Sequence, residues 1–340
     1  MLFDAPLGFV TDDPGGVAAT AEADGFDGVW TTEAGHDPYL PLAAAAHRTE
    51  HVTLGTAIAV AFPRSPMVHA QVAWDLQRLS KGRFILGLGA QVKAHNVRRY
   101  GVPGDRPIAR MREMIQAIRA VWRCWQDGDP LNFPGEFWSL TLMTPFFNPG
   151  AIDWAPPPIY VAAVSEAMLK VAGAEADGIH VHPLHTEGYL DEVLMPVARQ
   201  AAVAGGRDPD AMALCVPAMI ATGRTADDVV EAEAPMRAQI AFYGSTPAYR
   251  PVLEQAGKAD IAERLHALSR SGGWGEMPAL VDDDLLHAVC TSATWDNLPD
   301  ALARRYAGRA TRLMPYALLD DGTPWPAIAA AVKAAIAAPA

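Results

Sequence analysis

Short apolar runs and helix-spaced segments take turns along almost the whole 340-residue chain, and this alternation restricts the fold more than any other feature. A sheet whose strands are each separated by a helix is built from parallel strands, so the pattern predicts an α/β fold. The strand-like runs are Leu2–Val10, Gly28–Thr32, Val52–Phe62, Phe84–Leu88, Ile159–Val164, Gly178–His182, Leu214–Thr222 and Thr311–Leu318. The helix-like segments are Pro14–Ala23, Pro41–Arg48, Met67–Leu79, Ile108–Trp125, Glu166–Ala174, Leu190–Ala204, Ala226–Phe242, Leu298–Tyr306 and the closing Ala327–Ala338. Eight strands, each followed by helical sequence, rank a (β/α)8 TIM barrel above an open doubly wound sheet.

Residues 1–340 are read as one such barrel domain, with two insertions that break its rhythm. The first, near 130–158, follows the fourth large helix and is rich in proline and in aromatics such as Phe133, Phe137, Trp138, Phe146, Phe147 and Trp154. It reads as a long loop or small hairpin with an apolar face, able to cap the barrel mouth, to pack on the barrel, or to make an oligomer contact. The second, near 243–284, lies between the seventh and eighth strands and contains the turn Ser271-Gly272-Gly273-Trp274-Gly275.

Half of the residues are hydrophobic, enough for a large core, and the formal charge of −12 argues against nucleic acid or an anionic membrane as a partner. The three cysteines form no CxxC pair, which suits a reducing cytoplasm. No signal-like start and no apolar run of the ~18 residues that a bilayer requires is found. The expectation is a cytoplasmic protein that acts on a small molecule, with a homodimer as its candidate assembly.

Three strand ends carry the candidate chemistry. The fourth strand runs out through Gly87 and Gly89 into Ala90, Gln91, Lys93, His95, Asn96, Arg98 and Arg99. Its glycines let backbone approach a ligand, and its cations follow at once. The fifth ends in Ala162-Ala163-Val164-Ser165-Glu166, where free N–H groups at a helix start could hold a phosphate, or where Ser165 simply caps the helix. After the second, Thr32-Glu33-Ala34-Gly35-His36-Asp37-Pro38 gathers two carboxylates and an imidazole, a set that can move a proton near neutral pH. The plainer reading has Asp37 capping the next helix and His36 exposed. Gly87-Leu88-Gly89-Ala90-Gln91-Val92 is a poor dinucleotide fingerprint, because a third glycine is absent and no helix is expected directly after it. His180 and His182, two apart on a strand, face one side and are read as lining a pocket or binding substrate. A metal is not expected there, since no matching early HxH and no carboxylate partner accompany them.

These pieces resemble the bacterial luciferase-like family of flavin and deazaflavin oxidoreductases. The resemblance is carried by Gly25-Phe26-Asp27-Gly28-Val29-Trp30, by Leu54-Gly55-Thr56-Ala57 with Phe62-Pro63-Arg64-Ser65-Pro66, by Ser80 to Gly89, and by Pro158 to Ala162 followed by Ala176-Asp177-Gly178. Ile240 to Arg250 looks like the branch that uses coenzyme F420, a deazaflavin. The resemblance implies a cofactor ring lying across the barrel mouth, backed by a non-prolyl cis peptide between Ala57 and Ile58. It places the cofactor phosphate at Gly89 to Gln91 and Ala163 to Ser165, and it matches Glu33 to the family's acid after strand two. Two departures stand out: Ala34 and Gly35 separate that acid from His36, and Val92 and Lys93 stand where the sugar-phosphate branch has an acid.

The reading is therefore an F420-dependent oxidoreductase that transfers a hydride between the deazaflavin C5 and a small organic substrate, with His36 or Glu33 handling the proton. The rival enzyme is an FMN-dependent monooxygenase fed by a separate reductase. A barrel that only binds flavin is the rival from another class.

Overall fold

Asp4 divides the first strand into two short pieces, and the barrel closes across that division. The computed structural model describes residues 1–8, 11–316 and 322–337. Its barrel strands are β1 (Leu2–Phe3 with Ala5–Pro6), β2 (Gly28–Thr31), β3 (Thr53–Thr56, resumed at Ala59–Val60), β4 (Phe84–Gly89), β5 (Ile159–Ala162), β6 (Gly178–His180), β7 (Ala213–Gly223) and β8 (Arg312–Tyr316). Each pairs in parallel with the next. The ring is completed by β1, whose Leu2 and Phe3 pair with Arg312 and Leu313 while its Ala5 and Pro6 pair with Val29 and Trp30. The expected (β/α)8 barrel is thus the fold. Residues 9–10 and 317–318 of the expected first and last strands, and residue 338 of the closing helix, lie outside the described residues.

The helices begin where short polar side chains and proline allow. Ser65 accepts from the Val68 N–H with Pro66 in the first turn, Ser165 accepts from the Met168 N–H, and Thr225 with Asp228 forms a reciprocal capping box. Each cap contributes about 1 kcal/mol by satisfying an orphan donor. Two apolar regions result. The larger fills the space between barrel and helices, while Trp30, Ile85, Tyr160, Cys215 and Met314 fill the inside of the barrel.

Four departures from expectation bear on the site. The third strand is interrupted at Ala57–Ile58 instead of running through. The sixth ends at His180, two residues early. A short helix, Lys93–Arg98, does follow β4, against the expectation of none; no side chain caps its start, so it carries no local signal. The second insertion is helical (Arg250–Gln255, Ala259–Ser271, Asp283–Val289) and leads into an unforeseen strand, Cys290–Thr294, that pairs with the far half of β7.

The first insertion holds a small antiparallel hairpin, Phe133–Pro134 with Ser139–Leu140, and then runs along the outer helices. Trp74 Nε1 donates to the Gly150 carbonyl at 3.2 Å and Gln77 Nε2 to that of Ala155 at 2.8 Å. The Glu113 carboxylate gathers the N–H groups of Glu136, Phe137 and Trp138 at 2.7 to 2.9 Å. These bonds make it a packing layer, while Phe146, 90% exposed, stands out from it. Among the described residues no helix is long and apolar enough to cross a membrane, and Cys124, Cys215 and Cys290 are buried free thiols.

Candidate active site

Side chains alternate in and out along a strand, so the interior residues of the barrel stack in layers. Trp30, His180, Tyr160 and Met314 mark a layer well inside. One inward step further along each strand reaches the C-terminal mouth.

On the β2 side of the mouth, Glu33 is 9% exposed and tied from three directions. Its Oε2 accepts from the Val60 N–H at 2.7 Å and from Arg64 Nη1 at 2.8 Å, and its Oε1 accepts from the Tyr100 hydroxyl at 3.1 Å. Burial first, then the charge of Glu33, holds the Tyr100 phenol above its ordinary pKa, so it stays protonated and donates. Arg64 bridges onward to Asp37 Oδ2 at 2.9 Å, while Asp37 Oδ1 takes the N–H groups of Tyr39 and Leu40 where the next helix begins. The carboxylates of this loop are therefore fixed by structure. His36 is exposed and has no hydrogen-bond partner among the described residues.

The cis peptide between Ala57 and Ile58 lies beside this network. Thr32 Oγ1 donates to the Ala57 carbonyl at 2.8 Å and the Glu33 N–H to the Ile58 carbonyl at 3.2 Å, so both carbonyls of the interruption are held from β2. The glycines of β4 lie against other parts of the chain. A Cβ on Gly87 would stand 1.8 Å from the Thr56 carbonyl oxygen and 2.5 Å from His180 Nε2, and one on Gly89 would stand 2.6 Å from Ile58 Cδ1. What approaches these glycines is the chain itself: they admit His180 below and Ile58 at the rim.

Beyond β4 the chain turns through Gln91 in the left-handed region, at φ 54°. Asn96 Nδ2 ties the following helix back to the Ala90 carbonyl at 2.9 Å, and Lys93, His95 and Arg98 are exposed on it. Neither Lys93 nor Arg98 is engaged in an ion pair among the described residues, whereas Arg99 donates to the Ala34 carbonyl and so ties this segment to the His36 loop. At the end of β5, Ala163 is buried, and the N–H groups of Val164 and Ser165 have no partner among the described residues. Ser165 caps its helix by accepting from the Met168 N–H, which is the plainer of its two readings. Glu166 follows at once, its charge balanced by Lys170 at 2.6 Å.

His180 at the end of β6 and His182 just beyond it are brought to different depths. His180 is 5% exposed and enclosed by Trp30 and Tyr160. His182 is half-buried at the mouth, stacked on Tyr249 with ring centroids 3.8 Å apart, and set edge-on to Tyr243 at 4.6 Å. Among the described residues no group of His, Cys, Asp or Glu is arranged to hold a metal ion. Sequence reasoning missed Arg64 and Tyr100, whose partners lie 31 and 67 residues away, and the tyrosines around His182. Arg64 stood inside the quoted motif Phe62 to Pro66, and its position there was the only available signal.

A family model described as luciferase-like monooxygenase matches residues 10–312. An uncharacterised protein of Mycobacterium tuberculosis is 46% identical over 298 residues, 88% of each chain. A 5,10-methylenetetrahydromethanopterin reductase of Archaeoglobus fulgidus is 27% identical over 287 residues, 82% of this chain and 81% of that one. Among solved structures, the coenzyme F420 dependent tetrahydromethanopterin reductase of Methanopyrus kandleri superposes with a TM-score of 0.76 at 22% identity, covering 97% of both chains.

Proposed function

The chain belongs to the luciferase-like monooxygenase family, and from that membership we propose that it is an F420-dependent oxidoreductase acting on a small organic molecule. When bound, the deazaflavin supplies the hydride donor or acceptor at C5; the protein's task is to hold the ring, exclude water and handle a proton. The observation that carries the reading is the make-up of the mouth. Ala57, Ile58 and Ala162, each partly open to the mouth, offer a wall of modest side chains against which a flat ring can lie. The free N–H groups of Val164 and Ser165 and the turn at Gln91 stand beside it as phosphate donors. Lys93, His95 and Arg98 extend from it, and a carboxylate-rich tail gains from such cations on an otherwise acidic protein.

Side-by-side equilibrium titration of the purified protein with the deazaflavin and with FMN tests this. The deazaflavin is expected to bind more tightly, and to weaken as salt is raised. Tighter binding of FMN would move the protein to the oxygen-using reading.

The proton falls to His36. Glu33 is fully engaged by Arg64, Tyr100 and the Val60 N–H, whereas the His36 ring is free at the rim. His36→Ala is expected to lower turnover by roughly 10²-fold while leaving deazaflavin affinity nearly intact, as general acids contribute about that much. Glu33→Gln is expected to harm both turnover and affinity, because it leaves Asp37 as the one carboxylate on Arg64 and loosens the loop beneath the ring. Stopped-flow bleaching of the deazaflavin reads both; wild-type rates in His36→Ala would assign the proton elsewhere.

A further inference from the structure

The mouth is lopsided. Its β3 to β5 side carries small residues, while its β6 to β8 side carries large aromatic ones that the proposed cofactor chemistry does not use. Gly178, His180 and then His182 fall on the inward face of β6 and its extension, and Arg312, Met314 and then Tyr316 fall on the inward face of β8. His182 and Tyr316 therefore stand in the same rim layer, one inward step above His180 and Met314. The helix Ala226–Gly244 and the start of the second insertion bring Tyr243 and Tyr249 onto them. The four rings form one cluster: His182 is stacked on Tyr249 and edge-on to Tyr243, and Tyr243 lies 6.3 Å from Tyr316 between ring centroids. All four are only half-buried.

We propose that His182, Tyr243, Tyr249 and Tyr316 form the substrate wall of the mouth, built for an uncharged carbonyl or secondary alcohol compound bearing an apolar ring or chain. Flat faces account for the apolar part. The polar contact follows from counting hydrogens: the Tyr243 and Tyr316 hydroxyls bond to each other, which uses one O–H and leaves the other for a ligand oxygen. His182 accepts from the Leu184 N–H through Nδ1 at 3.1 Å, so its proton sits on Nε2 as a second neutral donor. Burial pulls its pKa down to about 3 and keeps it neutral.

Charge excludes the alternatives. Of the arginines on this flank, Arg312 is held by Asp4 inside the barrel, Arg305 by the carbonyls that end the helix Asp283–Val289, and Arg309 by Asp191 and Glu187, while Arg224, beyond the end of β7, is stacked on Trp295. A phosphate or carboxylate would find no counter-charge among the described residues of the wall.

This inference rests on the reading of the mouth as an oxidoreductase site, and the test separates the two. Full-length protein saturated with the deazaflavin is titrated with acetophenone and with its anionic counterpart benzoylformate, binding being followed by saturation-transfer NMR and calorimetry. Acetophenone is expected to bind saturably and at least tenfold more tightly than benzoylformate. Tyr316→Phe should weaken acetophenone about fivefold and Tyr249→Leu about tenfold, with deazaflavin affinity unchanged within twofold in both. Equal or tighter binding of benzoylformate, unaltered acetophenone affinity in both folded variants, or no saturable binding of acetophenone overturns the wall. Failure of the wild type to hold the deazaflavin would overturn the cofactor reading alone, and acetophenone titration of the cofactor-free protein would still decide the wall.

Discussion

Asp4→Ala is expected to lower the stability of the protein by about 3 to 5 kcal/mol, the cost of stranding one member of a buried ion pair. Asp4 is fully enclosed, with 0% exposure, where β1 divides. Its Oδ2 accepts from Arg312 Nε at 2.7 Å and from Trp30 Nε1 at 2.8 Å, and its Oδ1 accepts from Arg312 Nη2 at 2.8 Å. Truncation leaves the Arg312 guanidinium inside the barrel with only the Asp27 carbonyl, at 3.4 Å, still within reach. It also orphans the indole N–H. The effect is specific to leaving a charge behind, so the double variant Asp4→Leu, Arg312→Met should recover most of the loss. Urea unfolding of the three proteins checks this. A single variant within 1 kcal/mol of wild type would mean that water reaches the pair.

Acid should unfold the protein earlier than its carboxylates alone would suggest. His69, His180 and His185 are buried, and burial pulls their pKa values down to about 4, 3 and 4. His69 is fully satisfied as a neutral ring, donating through Nε2 to the Ala61 carbonyl at 2.8 Å and accepting through Nδ1 from the Tyr39 hydroxyl at 2.7 Å. His185 is held by the His182 carbonyl at 2.8 Å and the Tyr306 hydroxyl at 3.2 Å. In the unfolded chain each ring protonates near pH 6.5, whereas in the fold it stays neutral to about pH 4 or 3. Between those limits the unfolded state binds more protons, so stability is intact above about 6.5 and is lost as pH falls. At pH 5 each histidine accounts for about 2 kcal/mol, from 1.4 kcal/mol for each pH unit below 6.5. Urea midpoints at pH 7, 6 and 5 should fall steeply, and His69→Gln should remove about one proton from the slope. Equal midpoints at pH 7 and 5 would refute the assignment of these rings as neutral.

Much of this architecture can be read from local pattern, and the limits of that reading are physical. The fourth strand was expected over Phe84–Leu88 and is found over Phe84–Gly89, because an apolar run bounded by glycine has few other uses in an α/β chain. Ser65-Pro66 and Thr225 mark helix starts within a residue, since caps act through bonds three residues long. Contacts made across the fold leave no such trace. Nothing near Asp4 announces Arg312, which is 308 residues away, and nothing near Glu33 announces Arg64 or Tyr100. The strand Cys290–Thr294 is short and partly polar, and it exists because β7 overhangs its neighbours. Periodicity correctly assigned His180 and His182 to one face, yet face is not depth: one is enclosed by Trp30 and Tyr160 and the other reaches the rim.

The divided first strand also orders events during synthesis. Leu2–Phe3 leaves the ribosome long before its hydrogen-bonding partner, Arg312–Leu313, has been made. Until then the nascent sheet carries one open edge at β1 and another at its growing end, and open edges invite pairing with other chains. The Asp4 carboxylate, with no guanidinium yet made to meet it, resists burial and keeps that early edge wet. The same ion pair that seals the finished barrel thus begins as a charge that delays premature closure.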